Sequence, residues 1–174
     1  MILAFAGRRV DAPDAATPRF PIANLAIVRG RIRKLLQDRA PSDVISSAAC
    51  GADLIALSEA AALGVVRKIV LPFSRDRFRS TSVTDRPGDW GPLYDEVLGG
   101  GEVIELQEEP DDGAYLVVNC TILDMTSALM NEKGQPGSAV LVWEGASRGE
   151  HDLTEAFGVE ARKRGLAVIE VLTI

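Results

Sequence analysis

Apolar and polar positions along the chain change period in blocks. "ILAFAG", residues 2–7, is almost wholly apolar and ends at Gly7, as expected of a parallel strand buried on both faces. Over Asn24–Arg39 the period becomes helical. Val28, Ile32, Leu35 and Leu36 share one face, Arg29, Arg33 and Lys34 lie off it, and Pro41 ends the segment. "DVISSA" predicts a second strand, Ala52–Leu63 a second helix stopped by Gly64, and "RKIVLPF" a third strand with Pro72 at its end. From Ser74 to Gly91 the chain is rich in Arg, Ser, Asp, Pro and Gly, which predicts a long irregular loop. Loops of that length in compact domains are commonly functional. Beyond it the pattern predicts a short helix over Leu93–Leu98, a strand "EVIEL", and a helix from Gly113 to about Met130. A strand "SAVLVW", a helix over Glu150–Arg164 and a last strand "LAVIEVL" complete the series.

Strands separated by helices imply an α/β protein: a Rossmann-like three-layer sandwich with a mainly parallel sheet of about six strands. The expected organisation is a single domain over residues 1–174, with a functional loop at about 73–91. In such folds ligands bind beyond the carboxyl ends of the strands, where the strand order reverses. That rule selects four loops: Gly7–Asp11, Ser46–Asp53, Phe73–Gly91 and Glu144–Asp152.

Composition narrows the class. The 174 residues are 47% apolar and 25% charged, enough for one full core and ordinary for a globular protein. No run of the sequence approaches the ~20 apolar residues of a bilayer span, and Met1 leads into apolar residues without a charged leader. Cys50 and Cys120 are far apart in sequence, so neither a disulfide scaffold nor a metal site is expected. A cytoplasmic location follows as the expectation, with no cofactor, no nucleic acid and no membrane as partner. The net charge of −6 carries the exclusion of nucleic acid, yet the charge is uneven. Residues 1–40 hold eight Arg/Lys against three acids, and 67–86 adds Arg67, Lys68, Arg75, Arg77, Arg79 and Arg86. Local positive potential on an acidic protein suits a small anion.

Candidate chemistry gathers in the selected loops. Arg8 and Arg9 follow Gly7 and could clasp a phosphate or carboxylate through paired hydrogen bonds, or stand solvated at the surface. In "SSAACGAD", Ser46, Ser47, Gly51 and Ala52 leave backbone approachable at a helix N-terminus. That suits an anion or close helix–strand packing, and Arg8, Arg9 and the fourth loop are what favour the anion. Asp53 could cap the helix or bind a ribose hydroxyl. The fourth loop adds Arg148, Gly149 and Thr154 at another helix start, with His151, the single histidine, as a passive surface residue or a catalyst. Asn119 interrupts an apolar stripe and either satisfies a backbone group or points at a ligand. Trp90 either stacks on a base or anchors the long loop. No nucleophile–base pair is apparent, so the residues argue for an anion site rather than for any reaction.

"AGRRVD", "SSAACGADLIALSEAAALG" and "RG-x-x-D-x-T" resemble the SLOG superfamily of Rossmann-like nucleotide-binding domains over nearly the whole chain. The group includes base-releasing phosphoribohydrolases, a DNA-processing protein and sensors of nucleotide signals. The resemblance implies a nucleotide or nucleotide-derived signalling ligand at the carboxyl edge of the sheet, bound as by a sensor. It implies Gly7, Arg8, Ser46, Ser47, Gly51 and Asp53 as pocket walls, phosphate at Arg148, Gly149 and Thr154, and a possible homodimer. The alternative it raises is an N-glycoside hydrolase acting on a nucleoside monophosphate. There "ASRGEHDLTE" lacks the PGG of the phosphoribohydrolases, and Glu155 falls near the position of their acid. DNA processing is not expected.

Overall fold

The computed structural model describes residues 1–174, apart from the side chain of Asp112. Six strands, β1 (Ile2–Gly7), β2 (Asp43–Ser46), β3 (Val66–Leu71), β4 (Glu102–Glu105), β5 (Gly137–Trp143) and β6 (Ala167–Leu172), form one sheet in the order β4-β3-β2-β1-β5-β6. Every pairing is parallel. Helices α1 (Leu25–Arg39), α2 (Ala52–Ala62), a short α3 (Arg75–Phe78), α4 (Trp90–Gly99), α5 (Asp112–Lys133) and α6 (Leu153–Lys163) connect them. The architecture is therefore the expected α/β Rossmann-like sandwich.

Two cores lie on opposite faces of the sheet, as strand alternation requires. Leu3, Phe5, Val44, Ile69, Leu71, Val140 and Val142 join Val28, Ile32 and Leu36 of α1 and the apolar side of α2 and α4. Ile2, Ala4, Ile45, Val70, Ala139, Leu141 and Trp143 join Val118, Ile122 and Leu123 of α5 and Phe157 and Ala161 of α6. The chain starts in the middle of the sheet at β1, builds outward through β2, β3 and β4, then returns to β5 on the other side of β1. The strand order thus reverses between β1 and β5, and the crevice opens above Gly7 and Trp143.

Three local expectations change. The segment expected to be an irregular loop at 73–91 is folded: α3 runs into a π-helical turn at Arg79–Val83, and α4 begins at Trp90. Phe78, Val83 and Trp90 are buried, with Phe78 6.1 Å from Phe73 and 6.3 Å from Tyr94 between ring centres. An aromatic core under the segment, which composition does not register, makes it part of the scaffold. The sixth helix begins at Leu153 rather than Glu150 because Asp152 caps it. Third, the sequence offered no unbroken apolar run. Yet among the described residues Gly113–Lys133, within α5, is long and apolar enough to cross a membrane by length and composition. Its Val118, Ile122, Leu123 and Leu129 are buried against the sheet.

Gly51 accounts for much of the small-residue turn before α2. Its φ is +98°, and a Cβ there would lie 2.7 Å from the Arg8 carbonyl oxygen and 2.8 Å from the Val10 nitrogen. The chain leaving β1 crosses directly over it. Gly64 also has positive φ (+70°), but a Cβ would meet nothing within 4 Å. Gly51→Ala is expected to cost roughly 2–4 kcal/mol and Gly64→Ala about 1 kcal/mol, measured by denaturant unfolding. Equal costs would mean that the crossing backbone does not constrain Gly51.

Candidate functional site

A cavity of about 600 Å³ occupies the crevice above β1 and β5. The backbone leaving β1 (Gly7–Ala12) makes one wall and the returning loop through Ala15, Thr17 and Arg19 another. Ser47, Ala49 and Asp53 lie beneath, Phe78, Ser82 and Arg86 at one side, Tyr115, Val118 and Asn119 of α5 at the other. Arg148, Leu153 and Thr154 close the far end. Asp11 shapes the first wall: its carboxylate accepts from the backbone amides of Arg19 and Phe20 at 2.9 and 3.1 Å, folding the loop back on itself.

Arg8 holds the region together. Its Nε donates to Glu144 at 2.5 Å, Nη1 and Nη2 to Asp152 at 2.6 and 2.7 Å, and Nη2 to the Ala146 carbonyl at 3.0 Å. The guanidinium also lies 5.7 Å from the centre of the Trp143 ring and is almost fully buried. Burial alone would lower its pKa and raise those of its partners. The hydrogen bonds reverse both effects, so Arg8 is shifted up and Glu144 and Asp152 down. As a free anion ligand this guanidinium is consumed.

The two helix N-termini are likewise already occupied. The carboxylate of Asp152 accepts from the amides of Arg148, Thr154 and Glu155 at 2.7, 3.0 and 3.1 Å. This is the place where the resemblance put a phosphate, and the chain's own carboxylate fills it. At α2 the Ala52 amide donates to the Arg8 carbonyl at 3.1 Å, and the Cys50 amide to the Ser82 carbonyl at 3.0 Å. The opening turn therefore receives the backbone leaving β1 rather than standing open.

The remaining candidates divide. Gly7, Arg8, Arg9, Ser47, Asp53, Asn119, Arg148 and Thr154 line the cavity. Ser46 is buried in β2 with its hydroxyl donating to the Phe5 carbonyl at 3.2 Å, and Gly51 and Ala52 support the wall from behind. Gly149 lies in a separate groove between α5 and α6, together with Glu155, whose carboxylate accepts from Ser147. Arg9 pairs with Asp85. Asn119 donates to the Leu153 carbonyl at 3.0 Å, tying α5 to α6. His151 is exposed. Trp90 is buried and donates to the Pro87 carbonyl at 2.8 Å, so it anchors its turn and is no stacking surface. Arg79 pairs with Asp95 outside the cavity. Arg19, Ser82 and Tyr115 were missed as site residues. The Pro- and Ala-rich "DAPDAATPRFP" signalled a loop after the first strand, but not that it would turn back over the site.

Two groups stand out electrostatically. Arg148 is 44% exposed and 3.9 Å from Asp152, and burial together with the charges of Arg8 and Arg19 lowers its pKa. Asp53 is 7% exposed, and its Oδ1 has no hydrogen-bond partner among the described residues. Burial pushes its carboxyl up to about 7 against the pull of the Ala49 and Gly7 amides and the Arg9 charge.

No family model matches the chain, and no curated protein does. Among solved structures it is similar to DNA processing protein A from Streptococcus pneumoniae (17% identity, TM-score 0.48, 96% of this chain and 57% of that one). It is also similar to DNA processing protein A from Helicobacter pylori, described for its single-stranded DNA binding mode (18%, 0.48, 98% and 75%). A third is a molybdenum cofactor binding protein from Rippkaea orientalis (10%, 0.41, 96% and 87%). The chain spans 57% of the length of the pneumococcal protein. The likeness is one of fold alone. It also corrects one expectation. Nucleic acid was excluded as a partner, whereas DNA processing protein A is a neighbour here, once as a single-stranded DNA binder. The exclusion rested on a whole-chain charge of −6, and a sum over the chain says little about a rim that carries Arg9, Arg19, Arg86 and Arg148.

Two outcomes are expected. Arg8→Met leaves Glu144 and Asp152 buried without their cation and should destabilise by about 3–5 kcal/mol in denaturant unfolding. A cost near zero would mean that the cluster is not what fixes the loop after β5. For Asp53, the folded chain keeps a proton that the unfolded chain releases between about pH 4 and 7. Its contribution therefore falls as pH rises through that window and is constant above it. Asp53→Asn should gain roughly 1–4 kcal/mol relative to wild type on going from pH 4 to pH 8, and a pH-independent difference would contradict the shifted carboxyl.

Proposed function

We propose that the chain binds a phosphate-bearing small ligand, a nucleotide or nucleotide derivative, in the cavity at the carboxyl edge of the sheet, with binding itself as its function, as in a sensor. The observation that carries this reading is Arg148. It faces the cavity, the like charges of Arg8 and Arg19 act against it, and its nearest carboxylate, Asp152 at 3.9 Å, is already bonded to Arg8. An incoming anion relieves that repulsion and restores the charge-assisted hydrogen bonds that a guanidinium favours. Arg86, 3.7 Å from Asp85, is a second cation lining the cavity with a loose partner. A volume of about 600 Å³ lies within the range of small-molecule sites. The phosphate is held by side chains, since the N-terminus of α6 is filled by Asp152 and that of α2 is crossed by the chain leaving β1.

Cleavage of an N-glycosidic bond is supported less well. Glu155, the acid that the resemblance suggested, lies in the other groove, and the carboxyls lining the cavity are those of Asp11, which is engaged by the Arg19 and Phe20 amides, and Asp53.

A thermal-shift panel of AMP, ADP, ATP, GTP, NAD, ADP-ribose, cyclic nucleotides and a single-stranded oligonucleotide tests the reading. A ligand at ~100 times its dissociation constant should stabilise by roughly 2.7 kcal/mol, several degrees for a chain of this size. Arg148→Ala should abolish the shift while leaving the unliganded melting temperature within about 2 °C of wild type. A flat panel, or a shift that survives Arg148→Ala and Arg86→Ala together, would contradict it.

A further inference from the structure

The cations lining the cavity fall into two groups that share no carboxylate. Arg8 and Arg9 are consecutive, yet they lead away from β1 in opposite directions. Arg8 pairs with Glu144 and Asp152 in the loop after β5, and Arg9 with Asp85 in the segment after β3. Those two strands lie on opposite sides of β1, three strand spacings or about 14 Å apart. Each group is left with one cation over. At the β5 end Arg8, Arg19 and Arg148 face two carboxylates, Glu144 and Asp152, with Arg148 the loosest at 3.9 Å. At the β3 end Arg9 and Arg86 share the carboxylate of Asp85, with Arg86 the looser at 3.7 Å. Both loose guanidiniums line the cavity and are accessible, Arg148 44% and Arg86 29% exposed. The other two carboxyls of the lining pair with neither: Asp11 accepts from the amides of Arg19 and Phe20, and Asp53 is buried.

We propose that the cavity takes a ligand with two separate anionic groups, a nucleoside phosphorylated at two positions, with one phosphate on Arg148 and the other on Arg86. The inference rests on the anion-binding reading above and narrows it to nucleoside bisphosphates. A single phosphate satisfies one loose guanidinium and leaves the other with only its distant carboxylate. The adjacent phosphates of a diphosphate chain bring as many phosphoryl groups but place them at one end. Phosphates on two positions of a ribose reach both ends, and each gains charge-assisted hydrogen bonds from a forked donor. The apolar part of the lining, Val10, Phe78, Val118 and Leu153, suits the base and sugar that hold the phosphates apart.

Calorimetric titration with AMP, ADP, adenosine 3′,5′-bisphosphate, adenosine 2′,5′-bisphosphate and the guanosine counterparts of all four separates the outcomes. The expected result is a bisphosphate that binds at least about tenfold tighter than the diphosphate of the same base. Arg86→Ala should bring that ratio below about threefold, and Arg148→Ala should weaken every probe. Arg86→Ala leaves Asp85 paired with Arg9, so the fold is not at stake in that variant. If the mono- and diphosphates bind and no bisphosphate exceeds the diphosphate, the two-phosphate proposal is overturned and the anion site stands. A ratio that Arg86→Ala leaves unchanged likewise overturns the assignment of the second phosphate. If none of the probes binds at millimolar concentration, the anion-binding reading falls and this inference with it.

Discussion

The buried cluster of Arg8 with Glu144 and Asp152 is the constraint on which the carboxyl edge of this sheet depends. Arg8 leaves the end of β1, in the middle of the sheet, and reaches the loop between β5 and α6. One guanidinium thus bridges the two strands between which the order reverses. It fixes the Asp152 carboxylate where that group also caps α6, and it turns Glu144 inward, where Arg19 shares it. Removing charges from water is unfavourable in itself. It is tolerated here because the guanidinium and both carboxylates are hydrogen-bonded on several sides. The chain has in effect built a carboxylate into the anion position of a helix N-terminus.

That arrangement decides what remains for a ligand. The amides at the start of α6 are taken by Asp152, and at α2 the Ala52 amide is taken by the Arg8 carbonyl of the chain leaving β1 as it crosses Gly51. What stays available is a set of side chains: loosely partnered Arg148 and Arg86 at the rim, the hydroxyls of Ser82 and Tyr115 3.1 Å apart on one wall, and Asp53 at the floor.

Much of the fold was legible because parallel strands buried on both faces announce themselves as short apolar runs, and Gly and Pro mark where they stop. The site was less legible, for reasons visible in single residues. Arg8 reads as an anion ligand in sequence because nothing there tells that Glu144 and Asp152, over 130 residues away, will meet it. The small residues around Gly51 look like a phosphate turn, and the same residues are what a crossing backbone needs. Segment 73–91 has the composition of a loop, but Phe78, Val83 and Trp90 are spaced so that a short helix and a π turn bury all three. Asn119 offered two fates, and its hydrogen bond to Leu153 is local and structural. Asp53 was visible as a candidate, whereas its missing partner and raised pKa depend on burial that no local pattern encodes.

The most direct test of a phosphate-bearing ligand in this cavity is a two-dimensional amide NMR titration with AMP, chosen as a probe carrying both phosphate and ribose. Saturable shifts confined to the amides of Gly7, Ser47, Asp53, Asn119 and Arg148, with the groove between α5 and α6 unmoved, are the predicted result. Saturable shifts centred on Gly149, Glu155 and Val159 instead, or none at millimolar AMP, would contradict the account.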